Sequence, residues 1–188
     1  MLNTLLYTGI RVGELCALRW NDISPDFTMM RIDESFTDLK YETDTKTASG
    51  VRNIPLNSFL QEKYREKYNS MTIEEKEDRN RLIYINKCNN PYTSANISTR
   101  LRYIKRYIRE NMNEEIDDSI TPHYFRHTFT TLGIESGVSL KDMQELLGHA
   151  NTKTLLDIYS HTSTGSKANS VNLIQQTINA NFNHSISS

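Results

Sequence analysis

Hydrophobic residues recur at helical spacing along most of this chain. Near its start, six aliphatic residues mark one helical face: Leu2, Leu5, Leu6, Ile10, Leu15 and Leu18. Gly9 and Gly13 interrupt that face. The spacing also predicts a helix over about 59–69, capped by Asn57 or Ser58. A longer amphipathic helix is predicted over about 94–111, with four residues pointing inward: Ile97, Leu101, Ile104 and Ile108.

The second half of the chain contains further helix boundaries. Thr121 is a favourable N-cap with Pro122 in the first helical position, and that helix is predicted to end near Gly137. Ser139 begins the next helix, which Gly148 ends. Another helix is expected to begin at 151–152 and to end near residue 159.

Strand patterns are few and short. Residues 29–37 are predicted to form a strand, and residues 42–47 and 51–56 a hairpin around 48–50. Residues 82–85 are predicted as one more short strand. The predicted fold class is therefore α+β, mainly α-helical with a small antiparallel β-sheet or hairpin.

Length and composition fit one soluble globular domain. The chain has 188 residues, of which 37% are hydrophobic and 24% charged. Its two cysteines, Cys16 and Cys88, are too few for a disulfide framework or a zinc cluster, so we interpret both as reduced. The sequence has no apolar run long enough for a bilayer and no basic segment typical of a signal peptide. We therefore expect a cytoplasmic protein that does not associate with a membrane.

The formal net charge of −1 does not decide for or against nucleic-acid binding, because total charge averages over all faces of the molecule. Basic residues concentrate in the predicted helix over about 94–111: Arg100, Arg102, Lys105, Arg106 and Arg109. Because the apolar positions of this helix lie at helical spacing, we expect these cations to project from the opposite face, either as a nucleic-acid contact or as an ordinary solvated face.

Four polar segments stand beside apolar sequence. Arg11 lies between two glycines, and His123 and Arg126 share a helix face at i and i+3. His149 follows a helix end, and Tyr159 is one of ten tyrosines. Taken singly, these are consistent with a surface arginine, a capping histidine and an ordinary tyrosine.

As a set, the four segments indicate phosphoryl-transfer chemistry. Two arginines can hold the non-bridging oxygens of one phosphate and stabilise its transition state. A histidine can transfer a proton, and a tyrosine can attack as a covalent nucleophile. No cofactor or metal is then required. A metal site on His123 and His127 is disfavoured because no third ligand is evident.

Five segments resemble the motifs of tyrosine recombinases of the phage integrase family. In chain order they are GIRVGEL, KTASGVRNIPL, TPHYFRHTF, LGHAN and DIYSH. The resemblance implies the catalytic-domain fold of that family over nearly the whole chain. It also implies that Arg11 and Arg126 are catalytic arginines and that Tyr159 forms a 3′-phosphotyrosyl bond with DNA.

The resemblance assigns the remaining roles as follows. His123 transfers a proton near the attacking hydroxyl, and His149 hydrogen-bonds the scissile phosphate. Lys46, in the hairpin segment, is the general acid for the leaving 5′-hydroxyl, although Lys40 lies nearby. Arg52 follows the turn of the hairpin and is an alternative DNA-facing cation. Two further residues are expected to be supporting ones: Glu14 and His127.

The expected organisation is a catalytic domain over 1–165 and a tail helix over 166–188. The tail has one apolar stripe: Val171, Ile174, Ile178 and Phe182. By resemblance, it docks on its own domain or on a neighbouring protomer. From the resemblance, we expect an N-terminal DNA-binding domain and most of the helical sequence upstream of Arg11 to be missing from this chain. The expected partner is double-stranded DNA. On DNA the chain is expected to form a homotetramer, and as an isolated fragment to be a monomer.

The leading functional prediction is a site-specific recombinase or integrase of a mobile element that cuts and rejoins DNA. Two alternatives stay open. A type IB topoisomerase-like nicking-closing enzyme would use the same kinds of residue. A non-cutting module would bind DNA or oligomerise without chemistry.

Overall fold

The computed structural model describes residues 1–37, 40–43, 50–148, 153 and 155–158, with side chains at 1–36, 50–148, 153 and 155–158. Its α-helices are α1 (Leu2–Thr8), α2 (Val12–Ala17), α3 (Ser58–Asn69), α4 (Ile73–Glu77), α5 (Ser94–Met112), α6 (Pro122–Glu135) and α7 (Leu140–Leu147). Its strands are β1 (Met29–Ile32), β2 (Phe36–Thr37), β3 (Lys40–Thr43) and β4 (Arg52–Pro55). A 3₁₀ turn spans Trp20–Asp22, and residues 155–158 are helical.

The predicted interruption of the first apolar face is confirmed at Gly9. This residue ends α1 with φ of 64°, and its N–H donates to the carbonyl of Leu5 at 3.0 Å. Arg11 is extended and immediately precedes α2. Gly13 lies within α2, where the carbonyl of Phe36 approaches so closely that a Cβ would collide with it. The break therefore turns the chain and places Arg11 at the beginning of a new helix.

The predicted hairpin of 42–47 with 51–56 lies partly outside the described residues, so its pairing stays a prediction. Strand β4 pairs antiparallel with β1, opposing Ile54 to Met30 and Arg52 to Ile32, and β3 pairs with β2. Opposed residues of an antiparallel pair point to the same face of the sheet. Burying Ile54 against Met30 therefore favours the pairing of β4 with the distant strand β1. Residues 29–37 form two strands, and residues 82–85 make only isolated bridges.

Most predicted helices are confirmed at their caps. The Asn57 side chain accepts from the N–H of Leu60 at 2.9 Å at the start of α3. Ser139 caps α7 through the N–H of Asp142, and Gly148 ends that helix with φ of 66°. Helix α6 begins at Pro122, as the sequence predicts.

Helix α5 differs from its prediction on one face. Ile97 and Leu101 are buried as expected, but Ile104 is 38% exposed. Lys105 is instead 8% exposed and donates to the carbonyls of Asp118 and Ile120, at 2.9 and 3.1 Å. The expectation that Lys105 projects outward is therefore wrong. The loop before α6 presents two carbonyls that need a donor, and the long lysine stem reaches them across apolar surface.

The core comprises two groups of buried residues that flank the Gly9–Arg11 break. The larger joins α1 and α2 to the β1–β4 pair and α3, and includes Leu5, Leu15, Met30 and Ile54. The smaller lies between α6 and α7 and the helical residues 155–158. Helix α6 packs along α1, and α7 contacts both α6 and β4. The start of α2, the first half of α6 and the end of α7 thus meet.

Two compositional expectations concern the described residues directly. Cys16 is buried and Cys88 is exposed, and neither forms a disulfide. Among the helices that the structure describes, none is long and apolar enough to cross a membrane.

We expect Gly9→Ala to destabilise the domain more than Gly137→Ala does. Both positions have positive φ, which costs a non-glycine residue roughly 1–2 kcal/mol. A Cβ on Gly9 would also lie 2.4 Å from Phe129 Cδ1, whereas a Cβ on Gly137 would meet no atom within 4 Å. Overpacking adds about 1–3 kcal/mol. Urea unfolding measures both losses, and equal losses would show that α1 and α6 do not pack closely here.

Candidate active site

Glu14 is a buried carboxylate that holds the side chain of Arg11. The backbone N–H of Arg11 donates to Glu14 Oε2 at 2.9 Å, and its guanidinium Nη1 donates to Oε1 at 3.0 Å. Arg11 is the extended residue before α2 and Glu14 lies in the first turn, so the carboxylate reaches back to the start of its own helix. Glu14 thus holds Arg11 in place, while other N–H groups of the Arg11 guanidinium remain able to donate to other acceptors.

Arg52 reaches the same carboxylate from β4. Its Nη2 donates to Glu14 Oε2 at 2.7 Å and its Nη1 to Oε1 at 3.2 Å, while Nε donates to the carbonyl of Leu146 at 2.7 Å. The side chain is only 7% exposed. The interpretation of Arg52 as a DNA-facing cation is therefore wrong. Its register opposite the buried Ile32 directs it inward.

Arg126 brings α6 to the same point. Its Nη1 donates to the carbonyl of Gly9 at 2.7 Å, and its Nη2 to the carbonyl of Leu147 at 2.8 Å. Arg11 Nη2 donates to the next carbonyl, that of Gly148, at 3.4 Å. A helix leaves its last carbonyls without helical partners and carries partial negative charge there, so arginines are favourable at this end.

Together these four side chains form the arginine–glutamate cluster: Arg11, Glu14, Arg52 and Arg126. Three guanidinium charges against one carboxylate leave a net charge of 3 − 1 = +2. Burial lowers the pKa of Arg126 to about 10, and the charge of Arg11 acts in the same direction while Glu14 opposes it. Arg126 remains cationic at neutral pH. Because the Arg11 side chain is 43% exposed, the cluster has an open side on which an anion would relieve the repulsion.

His123 and His127 are exposed on the first turns of α6. His123 precedes Arg126 by three residues, so both lie on one face of the helix near its N-terminus, where free N–H groups favour anions. The ring of His127 stacks on Tyr124 with centroids 6.2 Å apart. Among the side chains that the structure describes, no group of three or more His, Cys, Asp or Glu could hold a metal ion.

Several predicted site residues lie outside the described residues. These are Lys46, His149 and Tyr159, and the side chain of Lys40. Leu147 and Gly148, which accept hydrogen bonds from Arg126 and Arg11, immediately precede His149. The helical residues 155–158 immediately precede Tyr159.

The cations of α5 lie apart from the cluster and mostly have partners within the chain. Arg100 donates to the hydroxyl of Tyr92 at 2.6 Å, Arg106 pairs with Glu110, and Arg109 pairs with Asp118. Arg102 donates to the hydroxyl of Thr99 at 3.2 Å. The four arginines of α5 are thus exposed, whereas Lys105 is buried. Contact of the arginines with DNA stays a prediction.

A comparison with known families agrees with this geometry. The sequence profile of the Phage integrase family matches residues 1–165. The chain belongs to the phage integrase family. Similar proteins include a tyrosine recombinase from Pseudothermotoga lettingae, 32% identical over 94% of this chain and 53% of that protein. Tyrosine recombinase XerC of Bacillus subtilis is 30% identical, over 87% of this chain and 48% of that protein.

A transposase from transposon Tn916 of Enterococcus faecalis is 29% identical over 85% of this chain and 41% of that protein. The chain thus spans about half the length of the curated relatives that it matches.

Solved structures show the same fold. The Tn1549 transposon integrase in complex with circular intermediate DNA superposes with a TM-score of 0.78, at 23% identity, over 92% of this chain and 58% of that one. The XerH site-specific recombinase bound to difH substrate superposes with a TM-score of 0.59, at 24% identity, over 89% of this chain and 43% of that one. This phage integrase family member therefore has the tyrosine recombinase catalytic-domain fold predicted from its motifs.

Sequence reasoning missed the internal position of Arg52, although the strand carried a usable pattern. Ile54 is the apolar residue of Arg52–Pro55 that must face the core, and side chains two apart in a strand share a face. Arg52 must then point inward with Ile54. A buried arginine requires a carboxylate or carbonyl partner, and Glu14 is the corresponding buried acid.

We expect Glu14→Gln to destabilise the domain strongly, because Arg52 would remain buried without a counter-charge. Breaking a buried ion pair by removing one partner costs about 3–5 kcal/mol. The matched control is Glu34→Gln, because Glu34 pairs with Arg19 at 3.3 Å on a more exposed surface. That substitution should cost less than about 1 kcal/mol. Similar losses of unfolding free energy in both variants would contradict the buried role of Glu14.

We also expect sulfate to bind between Arg11 and Arg126. At about 100 times its dissociation constant, it should raise the free energy of unfolding by about 2.7 kcal/mol relative to chloride at equal ionic strength. Arg11→Ala and Arg126→Ala should each remove most of this gain, whereas the exposed Arg31→Ala should keep it. Thermal unfolding with and without sulfate measures the difference. An undiminished gain in both cluster variants would place the anion elsewhere.

Proposed function

We propose that this chain is the catalytic domain of a site-specific DNA recombinase or integrase that cuts and rejoins strands through a 3′-phosphotyrosyl intermediate on Tyr159. The convergence of Arg11 and Arg126 on the turn at Leu147–Gly148 carries the proposal. Membership of the phage integrase family supports it, as do relatives named transposase and tyrosine recombinase. The proposed unit covers 1–165, with 166–188 as a tail helix that docks on a catalytic domain.

The arginines of the cluster would hold the scissile phosphate. Arg11 offers an exposed guanidinium and Arg126 a half-buried one with fixed orientation, so each can bind one non-bridging oxygen through charge-assisted hydrogen bonds. The same charges stabilise the additional negative charge of the pentavalent transition state. Because guanidinium groups supply the positive charge, the proposed reaction requires no metal ion.

The proposed chemical step is an in-line displacement at phosphorus. The phenolic oxygen of Tyr159 bonds to phosphorus as its proton passes to His123, and the bond to the 5′-oxygen breaks. Lys46 protonates that leaving oxygen, and His149 hydrogen-bonds the phosphate. Reversal with the 5′-hydroxyl of another strand restores the phosphodiester and frees the tyrosine. No water is consumed, so the energy of the original bond is conserved in the adduct.

The proposed partner is double-stranded DNA in the cytoplasm, bound by homotetramers as the protein recombines two duplexes. The similar Tn1549 transposon integrase was solved in complex with circular intermediate DNA, which supports a DNA substrate. Arg102 and Arg106 at the surface of α5 would add phosphate contacts outside the active site. The similarity to a transposase from transposon Tn916 supports a role in the movement of a mobile genetic element.

The experiment uses a pool of duplexes of randomised sequence, each with a nick that lets the downstream fragment escape after cleavage. We expect the 188-residue chain to form adducts with this DNA that survive denaturation. The variant Tyr159→Phe should form none, since only the nucleophilic oxygen is lost. The control is Tyr7→Phe, because Tyr7 is an exposed tyrosine that packs on Phe59 outside the cluster.

Three results would contradict the proposal. Adducts formed by the Tyr159→Phe variant would assign the nucleophile to another residue. DNA binding without any adduct would identify a non-cutting module. Relaxation of supercoiled plasmid at random sites, without enrichment of any sequence from the pool, would identify a topoisomerase-like enzyme.

A further inference from the structure

Arg52 connects three parts of the candidate active site without reaching its open side. It lies on β4, its bidentate contact is with Glu14 on α2, and its Nε donates to Leu146 at the end of α7. Its inward direction follows from the pairing of β4 with β1. At 7% exposure, the side chain cannot serve as a surface phosphate contact in this conformation.

Through Glu14, Arg52 influences how Arg11 is held. Each oxygen of Glu14 accepts from both residues: Oε1 from Arg11 Nη1 and Arg52 Nη1, and Oε2 from the Arg11 backbone N–H and Arg52 Nη2. Arg52 therefore offsets the charge of Glu14. Without it, the whole carboxylate charge would act on Arg11 and draw its guanidinium away from an incoming phosphate.

Arg52 also supports the backbone immediately before His149. A Cβ added at Gly148 would lie 2.6 Å from Arg52 Nη1, so the guanidinium packs directly against the turn that ends α7. Arg52 Nε also donates to the carbonyl oxygen of Leu146, two residues before Gly148, at 2.7 Å. The next two carbonyls, those of Leu147 and Gly148, are the ones that Arg126 and Arg11 contact.

We propose that Arg52 is a positioning residue for the proposed cleavage reaction, which orients Arg11 through Glu14 and holds the α7 turn that precedes His149 in the sequence. This inference rests on the proposed function, because it is the phosphate of that reaction to which Arg11 is presented. The role requires a planar fork. A lysine carries the same charge but cannot donate to both oxygens of Glu14 and to Leu146 at once.

The first test compares Arg52→Lys with Arg31→Lys. Arg31 lies on β1, is exposed, and pairs with Asp33, so it controls for the same exchange in the same sheet. At saturating nicked DNA, we expect Arg52→Lys to lower the single-turnover cleavage rate by about 10²-fold, the effect of misplacing catalytic groups by about 1 Å. The dissociation constant for DNA and its dependence on salt should be unchanged. A weakened DNA affinity with an unchanged cleavage rate at saturation would instead make Arg52 a DNA-binding contact, and a cleavage rate equal to that of Arg31→Lys would show no positioning role; either result would overturn the proposal.

A second measurement does not depend on DNA cleavage. We expect Arg52→Lys to weaken sulfate binding about tenfold, as for the loss of a hydrogen bond to a charged group, although the net charge is kept. Wild-type affinity for sulfate in the lysine variant would overturn the positioning role. If the wild-type chain binds sulfate and the lysine variant does not, while neither cuts DNA, the proposed function fails and the positioning of Arg11 by Arg52 stands.

A third measurement uses the unaltered chain, in case Arg52→Lys does not fold. In nuclear magnetic resonance spectra of the arginine Nε–H groups, Arg52 should exchange slowly with water, because its Nε bond is buried. Sulfate should shift the signals of Arg11 and Arg126 more than that of Arg52. Rapid exchange of Arg52 Nε–H, or the largest sulfate-induced shift at Arg52, would show that it contacts the anion and would overturn the proposal.

Discussion

The end of α7 presents three consecutive carbonyls, and three arginines from distant parts of the chain donate hydrogen bonds to them. Arg52 contacts Leu146, Arg126 contacts Leu147, and Arg11 contacts Gly148. These bonds tie β4, α6 and the start of α2 to one turn. Because polar groups at a helix end need partners, the same contacts stabilise the fold and assemble the site.

Within the arginine–glutamate cluster, burial separates two roles. Arg52 is enclosed and shares a carboxylate, whereas Arg11 is partly exposed and makes a long contact with Gly148. Arg126 lies between these extremes, and its lowered pKa records the cost of holding a cation in a buried, positively charged place. One glutamate balances only part of this charge, so the open side favours an anion such as a DNA phosphate.

How much could be predicted from the sequence depended on whether a pattern was local. Helices α3, α5, α6 and α7 follow from spacing and caps, and the motifs located Arg11 and Arg126 before any coordinates. The pairing of β4 with β1 could not be predicted locally, because the two strands are distant in the sequence and meet through burial of Ile54 against Met30. Lys105 was misplaced for a similar reason, since the carbonyls that attract it belong to a loop 13 to 15 residues away. Tertiary context overrides local preference at such positions.

On this arrangement, Arg11 and Arg126 should form one anion site on the α7 turn. A crystal structure of this chain grown with vanadate, which adopts the geometry of a pentavalent phosphate, tests it most directly. We predict a single vanadate within hydrogen-bond distance of both guanidinium groups, with Arg52 still bound to Glu14 and Leu146. Vanadate bound to only one of the two arginines, or at another surface with the cluster unchanged, would contradict the account.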